Sequence, residues 1–295
     1  GDDARLVISA SDLRTASDCE FALVRQLDVL LGRADKVEDP RDPMLARVSA
    51  LGDQHEQAEL RRLSREHPGG VRHLPSPTYS PEGLARAMAE TLDALSSGVA
   101  VLSQATLFDG SFVGRADFLE NTPAGWLVSD TKLARHANVP ALLQIGAYAA
   151  LLEDAGAPVA PVVRLVLGDA AIRDYPLAEV LPVYRSRRAR LDGILAEHRE
   201  CGQVARWGDD RWMACGSCAT CSVEVETARD LLLVAGLRRP TRRRLHDAGI
   251  STIDELAVST GAVPEVRSSI LERLRAQARL QLAQEADPLG GVRHE

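Results

Sequence analysis

The spacing of apolar and polar residues divides the chain into helical and strand-like stretches. In residues 8–32 and 44–66 the apolar residues recur every three or four positions, which is the period of an amphipathic helix. A third helical stretch covers residues 84–98. Between the last two stretches, HPGGVRHLPSPTYSPEG has the Pro and Gly density of a loop. We therefore predict that the first hundred residues are mainly helical.

The pattern changes after residue 98. Three short β-rich runs follow, VAVLSQATLFDG, SFVGRADFLE and GWLVSDTKL, and they are separated by Asp109-Gly110 and by NTPAG. Turn residues at these places favour an antiparallel meander. An apolar helix over 141–156, a strand over 161–169 and a basic helix over 178–200 complete the pattern. This order predicts an α/β fold, in which a mixed sheet is flanked by helices.

The composition predicts the class of protein and its cellular location. The 295 residues are 45% hydrophobic and 26% charged, which is typical of a soluble globular protein. The chain has no run of about 18 apolar residues, and GDDARLVIS lacks the segments of a signal peptide, so we expect a cytoplasmic protein without a membrane segment. Because the first residue is Gly1, we expect a piece of something longer. The net charge of -7 argues against indiscriminate nucleic-acid binding but leaves room for a local basic channel.

A pair of charges in SDTKL gives the first indication of chemistry. Asp130 and Lys132 are two residues apart in a strand, so their side chains project to the same face. Alone, such a pair is usually an ion pair on a solvated face. Asp117 lies in the middle strand of the meander, however, and the hairpin can bring it beside Asp130. Two carboxylates on adjacent strands can bind Mg²⁺ or Mn²⁺, and Lys132 could offset charge on a phosphate.

Two further pairs lie one helical turn apart. His55 has Glu59 on the same face of its helix, and Gln144 has Tyr148 on the helix after the third strand. Each pair has an ordinary interpretation by itself. The first is usually a surface pair, and a tyrosine such as Tyr148 usually belongs to the core.

Cysteines form a second candidate site. The chain has five, and three of them stand in CGSCATC. An odd number with this spacing fits a disulfide framework poorly and a metal or cluster site well. Four thiolates suit both an iron–sulfur cluster and Zn²⁺. We interpret Cys201 as an inert thiol at the end of a helix.

In sequence order, His55, GRAD, DTK and QIGAY resemble the RecB-like branch of the PD-(D/E)xK nuclease superfamily. The resemblance implies a restriction-endonuclease-like fold. It also implies that His55, Asp117 and Asp130 are side-chain ligands of Mn²⁺ or Mg²⁺ and that the Leu133 carbonyl completes the set. Asp117, Asp130 and Lys132 would be catalytic residues. Gln144 and Tyr148 would position the nucleic acid near the metal.

The cysteines resemble those of RecB-like nucleases that hold a [4Fe-4S] cluster. That group includes CRISPR-associated exonucleases, the AddB nuclease domain and the eukaryotic replication helicase-nuclease. One cysteine of the group precedes the nuclease core and three follow it, as Cys19 and then Cys215, Cys218 and Cys221 do here. ISASDLRTASDCEF also resembles the segment before their first cysteine. The C-x2-C-x2-C spacing departs from the longer second gap of many members, so zinc stays an alternative.

The resemblance covers about residues 7–224 and implies a nuclease domain over 1–224. We predict a second domain, a helical segment over 225–295. Within it LHDAGISTIDELA resembles helix-hairpin-helix modules, which present backbone N–H groups to phosphate. An arginine run precedes it, and from this run we predict DNA contacts by Arg238, Arg239, Arg242 and Arg243. The alternative is that these charges form a solvated face.

Together these features predict a metal-dependent deoxyribonuclease. By resemblance it would hydrolyse single-stranded DNA from an end, by attack of a metal-activated water, in DNA repair. A helicase, as a separate partner or as a fused domain, would accompany it. Two alternatives stay open, namely a non-catalytic DNA-binding or scaffolding module of a larger helicase-nuclease and a zinc-stabilised interaction domain.

Overall fold

The structure, a computed structural model, describes residues 6–37 and 43–287. Within these residues seven strands are found: β1 (Ile8–Ser9), β2 (Val71–His73), β3 (Val101–Phe108), β4 (Phe112–Thr122), β5 (Gly125–Lys132), β6 (Val162–Leu167) and β7 (Ile172–Pro176). The α-helices of the same part of the chain are α1 (Ala10–Asp18), α2 (Glu20–Leu30), α3 (Pro43–Glu66), α4 (Pro81–Ser96), α5 (Val139–Asp154), α6 (Leu177–Cys201), α7 (Ala219–Thr227), α8 (Arg239–Asp247), α9 (Ile253–Val258) and α10 (Ser268–Glu285). None of these helices is both long and apolar enough to cross a membrane.

The strands form one mixed sheet in the order β2-β3-β4-β5-β6-β7, with β1 paired to β4. β3, β4 and β5 are antiparallel neighbours, which confirms the predicted meander. β6 is parallel to β5 because α5 carries the chain back across the sheet before β6 begins. The expected α/β fold with a mixed sheet and flanking helices is therefore present, and it agrees with a restriction-endonuclease-like architecture.

β4 and β5 separate halfway along their length. Their last ladder pair is Phe118 with Ser129. Beyond it, β5 continues beside β6, while the start of β4 pairs with β1. Asp117 and Asp130 are the first residues past this last pair. The fork therefore places two carboxylates at the point where two strands of the sheet diverge.

Two helices anchor the sheet around the fork. α5 is apolar on nearly all of its surface, and Asn138 caps its start by accepting a hydrogen bond from the Ala141 amide at 2.9 Å. α3 contributes Leu63 to a small core with Val101 and Phe118. A helix that is apolar all round must be buried, so α5 lies in the interior and positions the side chains that it carries.

The sequence pattern did not predict three of the strands, β1, β2 and β7. β1 and β2 have two and three residues, which is too short for a period to be seen. β7 is an edge strand with mostly exposed side chains, so it lacks the largely buried, β-rich sequence of β3. Their pairing is decided by the neighbouring strand and not by their own residues.

By compactness the chain divides into two units, residues 1–18 with 40–201 and residues 19–39 with 202–295. The first contains the sheet. The second contains α2 and α7–α10 and has its own apolar core, which includes Leu245, Leu256, Leu271 and Leu274. In it a capping box joins Thr252 to Glu255 at the start of α9, as the sequence LHDAGISTIDELA favours. The domain boundary after residue 224 remains a prediction.

Candidate active site

Asp130 is the most unusual ionisable group at the fork. Its side chain is fully buried, and neither carboxylate oxygen accepts a well-formed hydrogen bond from the protein. Burial raises its pKa to about 7, the nearby charge of Asp117 adds to the increase, and Lys132 opposes it. The Lys132 ammonium lies against one oxygen as an ion pair. A buried carboxylate without hydrogen bonds is energetically costly unless a cation accompanies it.

Asp117 is held beside Asp130 by β5. The Thr131 backbone N–H and hydroxyl both donate to its Oδ2 atom, at 2.9 Å each. Because Thr131 lies between Asp130 and Lys132, its amide fixes the spacing of the two carboxylates. The structure thus brings together Asp117, Asp130 and Lys132 as the sequence predicts.

His55 contacts the backbone of β6. Its Nε2 atom lies 3.1 Å from the Val166 carbonyl oxygen on β6, and because a carbonyl only accepts, Nε2 carries the proton. Among residues 6–37 and 43–287, the one group of three or more side chains close enough to share a metal ion consists of cysteines. The ligand atoms of His55, Asp117 and Asp130 therefore do not lie within such a distance of one another. Glu59 is paired with Arg62 and not with His55. Metal binding by His55 remains a prediction.

The Leu133 carbonyl packs against Gly168 at the end of β6. A Cβ atom at position 168 would lie 2.0 Å from that oxygen, so only glycine fits there. The Gly168 amide donates to the next carbonyl, that of Ala134, at 3.1 Å. These contacts fix the backbone after Lys132, and the ligand role of Leu133 stays a prediction.

Gln144 and Tyr148 act as a pair on α5. The Gln144 amide donates to the Tyr148 hydroxyl at 2.7 Å. Tyr148 is buried against Gly114 of β4, where a Cβ would lie 2.5 Å from the ring. Burial raises the pKa of Tyr148, and the charge of Asp130 raises it further, so the phenol stays protonated and can donate.

Lys132, Gln144 and Tyr148 line one cavity of about 590 Å³. It is also lined by Arg14, Tyr79, Arg115 and Asn138, which the sequence analysis did not assign. Arg115 stands inside GRAD, so its place beside Asp117 could have been noticed. Tyr79 and Arg14 gave no such signal, because only the fold brings their segments to β4 and β5.

Glu56 is a further group that the sequence analysis missed. Its carboxylate accepts a hydrogen bond from the Gln104 side-chain amide. By the register of the β3–β4 ladder, Gln104 lies opposite Asp117. Burial and the charge of Asp117 raise the pKa of Glu56. Gln104 has a φ of 61°, a conformation that side chains seldom adopt within a strand. The signal available in the sequence was its position next to His55.

The donor set at the fork fits a hard divalent cation. Carboxylate oxygens are the ligands that Mg²⁺ and Mn²⁺ prefer. Apart from the contact with the Lys132 ammonium, the two oxygens of Asp130 accept no hydrogen bond from the described residues, and Asp117 keeps a fixed orientation beside them. A cation here would offset the burial cost of Asp130.

The second site lies in the other unit. The sulfur atoms of Cys19, Cys215, Cys218 and Cys221 are all within 4.8 Å of one another, and Cys201 is not among them. The Cys221 thiol lies 3.5 Å from Cys19, and this hydrogen bond lowers the pKa of Cys19 to about 5. A thiol that ionises readily is suited to metal binding, because thiolates are the ligating form. The predicted four-cysteine site is therefore present.

The spacing of the sulfurs bears on which metal fits. A tetrahedral zinc ion with Zn–S bonds of about 2.3 Å separates its ligands by about 3.8 Å. The Cys215 and Cys221 sulfurs are 3.8 Å apart. A cube of four irons and four sulfides requires the four thiolates to stand farther apart.

The predicted DNA-binding arginines have different surroundings. Arg242 donates to the buried carboxylate of Asp230 at 2.7 Å through Nε and lies over the Trp207 ring. Arg239 donates to the Cys215 carbonyl. Arg238 and Arg243 are exposed. Arg242 is thus occupied by a structural ion pair, and its DNA contact remains a prediction, as do those of the other three.

The chain is similar to proteins of a known family. A family model described as the PD-(D/E)XK nuclease superfamily matches residues 7–225. A crystal structure of a provisionally assigned exonuclease from Eubacterium rectale is similar, with 13% identity, a TM-score of 0.40 and coverage of 79% of this chain and 94% of that one. No curated protein matches the chain.

Proposed function

The chain belongs to the PD-(D/E)XK nuclease superfamily and is thus a metal-dependent nuclease, and from this premise we propose that it is a RecB-like exonuclease acting on single-stranded DNA. The observation that supports the site is the fully buried Asp130 carboxylate, which lies at the strand fork beside Asp117 with the Lys132 ammonium as its ion-pair partner. The cavity beside it can admit the substrate.

We assign a separate role in hydrolysis to each residue at the fork. Asp117 and Asp130 would hold Mg²⁺ or Mn²⁺, with His55 and the Leu133 carbonyl as further ligands. When bound, the cation supplies Lewis-acid stabilisation of charge on the scissile phosphate. Lys132 places an ammonium beside that phosphate, where it offsets the charge that develops during hydrolysis. Gln144 orients the Tyr148 hydroxyl, and the pair positions the strand in the cavity.

The first prediction tests this assignment. The purified protein should degrade end-labelled single-stranded DNA when Mg²⁺ or Mn²⁺ is added and should stop when the cation is chelated. We expect Asp117→Ala and Lys132→Ala each to lower the rate at least about 100-fold, because the first removes a ligand of the cation and the second removes the ammonium that offsets charge on the reacting phosphate. Lys36→Ala is the matched control, since Lys36 is the only other lysine of the chain. Cleavage that survives both substitutions would disprove the assignment.

A second candidate function is a non-catalytic DNA-binding or scaffolding module of a larger helicase-nuclease. The contact of His55 Nε2 with the Val166 carbonyl is compatible with both functions, because metal-ligating histidines commonly donate one ring N–H to a carbonyl and bind the metal through the other nitrogen. Intact binding of DNA without cleavage, under each divalent metal tried, would support this alternative.

For the cysteine site we propose a [4Fe-4S] cluster with a structural role. The resemblance of Cys19 and the three trailing cysteines to cluster-bearing nucleases supports it. The short sulfur spacing favours zinc as the second candidate. Protein purified without oxygen should be brown and contain iron and sulfide in equal amounts. A colourless protein with one zinc per chain would assign the site to zinc.

The remaining proposals concern partners and location. The exposed Arg238 and Arg243 leave the C-terminal unit able to contact DNA phosphates, and a helicase would supply the single strand. A role in DNA repair and a cytoplasmic location follow from the resemblance and the composition, and both stay proposals.

A further inference from the structure

We propose that Tyr79 is a stacking platform that selects single-stranded DNA at the mouth of the active-site cavity, with Arg14 and Arg115 holding the phosphates of the same strand. The inference rests on the proposed nuclease function and deepens it by naming the residues that distinguish a single strand from a duplex. None of the three belongs to the ligand or catalytic sets described above.

Tyr79 is exposed in a way that the other tyrosines are not. Its side chain is 73% exposed, whereas Tyr148, Tyr175 and Tyr184 are partly or fully buried. It nevertheless lines the cavity that contains Lys132. An exposed aromatic ring beside a binding cavity has a free face on which a nucleobase can stack.

Hydrogen bonds and close packing connect the backbone next to Tyr79 to the start of α4. The Ser80 amide donates to the Thr78 carbonyl at 2.9 Å, and the Ser80 hydroxyl caps α4 by accepting from the Gly83 amide at 3.1 Å. The Thr78 carbonyl also packs against Gly83, where a Cβ would lie 2.4 Å away. Thr78 and Ser80, the neighbours of Tyr79, therefore already have backbone partners without a ligand, which favours a preformed position of the ring.

Positive charge surrounds the same cavity. Arg14 from α1, Arg115 from β4 and Lys132 from β5 all line it, against one lining carboxylate, Asp18. Asp18 is 3.8 Å from Arg14, and both side chains are more than half exposed, so this ion pair is weak and a phosphate can replace it. Arg115 uses only Nε in its contact with the Gln104 carbonyl, which is long at 3.5 Å. Both guanidinium groups can therefore bind a phosphodiester.

The ring and the charges together favour a single strand over a duplex. A duplex keeps its base faces covered by stacking, so Tyr79 would meet a free base only in an unpaired segment or at a frayed end. A cavity of about 590 Å³ is also of the size that holds one small ligand, which corresponds to a nucleotide and not to a double helix.

Binding measured without metal tests the proposal without relying on cleavage. A fluorescent oligothymidylate of about 12 nucleotides, the range of single-strand sites, is titrated with protein in chelator. We expect Tyr79→Ala to weaken binding about tenfold, because loss of one stacked base costs about 1–3 kcal/mol. Tyr79→Phe should bind like the wild type, since the ring is retained. Tyr175→Ala, on the edge strand β7, is the matched control.

Abasic oligonucleotides isolate the stacking contact itself. Moving one abasic nucleotide along the strand should reveal a position at which wild-type affinity falls and Tyr79→Ala affinity does not. For the arginines, Arg14→Gln and Arg115→Gln should each reduce the slope of log K against log salt by about 0.7, the value for one phosphate contact on a single strand. Arg173→Gln, an exposed arginine of β7, should leave the slope unchanged.

Several outcomes would overturn the proposal. Equal affinities for Tyr79→Ala and the wild type would remove the stacking role, and so would equal losses for Tyr79→Phe and Tyr79→Ala. Tighter binding to a matched duplex or to an RNA strand would remove the assignment to single-stranded DNA. Tyr79-dependent binding without any cleavage would contradict the proposed nuclease function alone, and cleavage with normal binding by Tyr79→Ala would contradict the stacking role alone.

Discussion

At the scale of single residues, the buried Asp130 would link the proposed metal binding to stability. Its pKa rises from 3.8 to about 7 in the folded chain because burial and the Asp117 charge disfavour ionisation. The folded state therefore holds this proton more tightly than the unfolded state does. Protonated Asp130 contributes its full stability below about pH 4, and this contribution is lost as the pH rises to about 7.

The prediction is a difference between two pH profiles. In chelator, the melting temperature of the wild type should fall relative to that of Asp130→Asn between about pH 4 and pH 7, because asparagine cannot ionise. Thermal unfolding at a series of pH values measures the difference. Mn²⁺ added at pH 8 should restore the wild type and leave Asp130→Asn unchanged. Parallel profiles with and without Mn²⁺ would contradict the linkage.

Sequence reasoning succeeded with residues whose spacing is local. Asp130 and Lys132 share a face because side chains alternate along a strand, and the structure pairs them. Sequence reasoning did not predict the ion pair between Arg242 and Asp230. A run of arginines does not indicate which of them will form an ion pair with a buried carboxylate. Nor could sequence reasoning place Tyr79 beside Lys132, since α4, β3 and β4 intervene between them in the chain.

At the scale of elements, close backbone packing between the end of β5 and the end of β6 fixes the segment after Lys132. The Leu133 carbonyl and Gly168 approach each other so closely that no side chain fits at position 168. The strand order that creates this contact requires α5 to cross from β5 to a parallel β6. The sequence predicted α5 and β6 but not the contact between Leu133 and Gly168.

We predict that Gly168→Ala is destabilising and impairs cleavage. The added methyl group would displace the Leu133 carbonyl, and overpacking of this kind costs about 1–3 kcal/mol in the free energy of unfolding. Gly193→Ala in α6 is the control, because a Cβ there meets nothing within 4 Å and alanine is the better helix former. Thermal unfolding and the rate of DNA degradation are compared for both. If Gly168→Ala behaves like Gly193→Ala, the close contact has no functional role.

At the scale of the whole molecule, the cysteine site connects the two chain segments that form the second unit. Cys19 and Cys221 are separated by 202 residues yet lie in contact, so a bound metal would join the two chain segments of that unit. The predicted role of the metal is to hold this unit folded. Metal binding by a site that exists only in the folded state adds its free energy to folding.

Substitution of one ligand should remove the metal and its stabilisation together. We expect Cys221→Ser to lose bound metal and to lower the melting temperature by about 10 °C or more, since a loss of several kcal/mol shifts a domain of this size by that amount. Cys201→Ser is the matched control and should keep both, because Cys201 is outside the cysteine group. Metal analysis and thermal unfolding provide the measurements. Normal metal content in Cys221→Ser would contradict the ligand assignment.

The sequence by itself determined the strand meander, the helix that follows it, the family and the residues that meet at the fork, because these depend on local periodicity and on short spacings. Only the tertiary structure decided that β4 and β5 separate beyond Phe118, that Asp130 is fully buried beside Lys132, and that His55 contacts the Val166 carbonyl. It alone placed Tyr79 and Arg14 beside the cavity. These features depend on contacts between distant segments, whose free energies no local pattern contains.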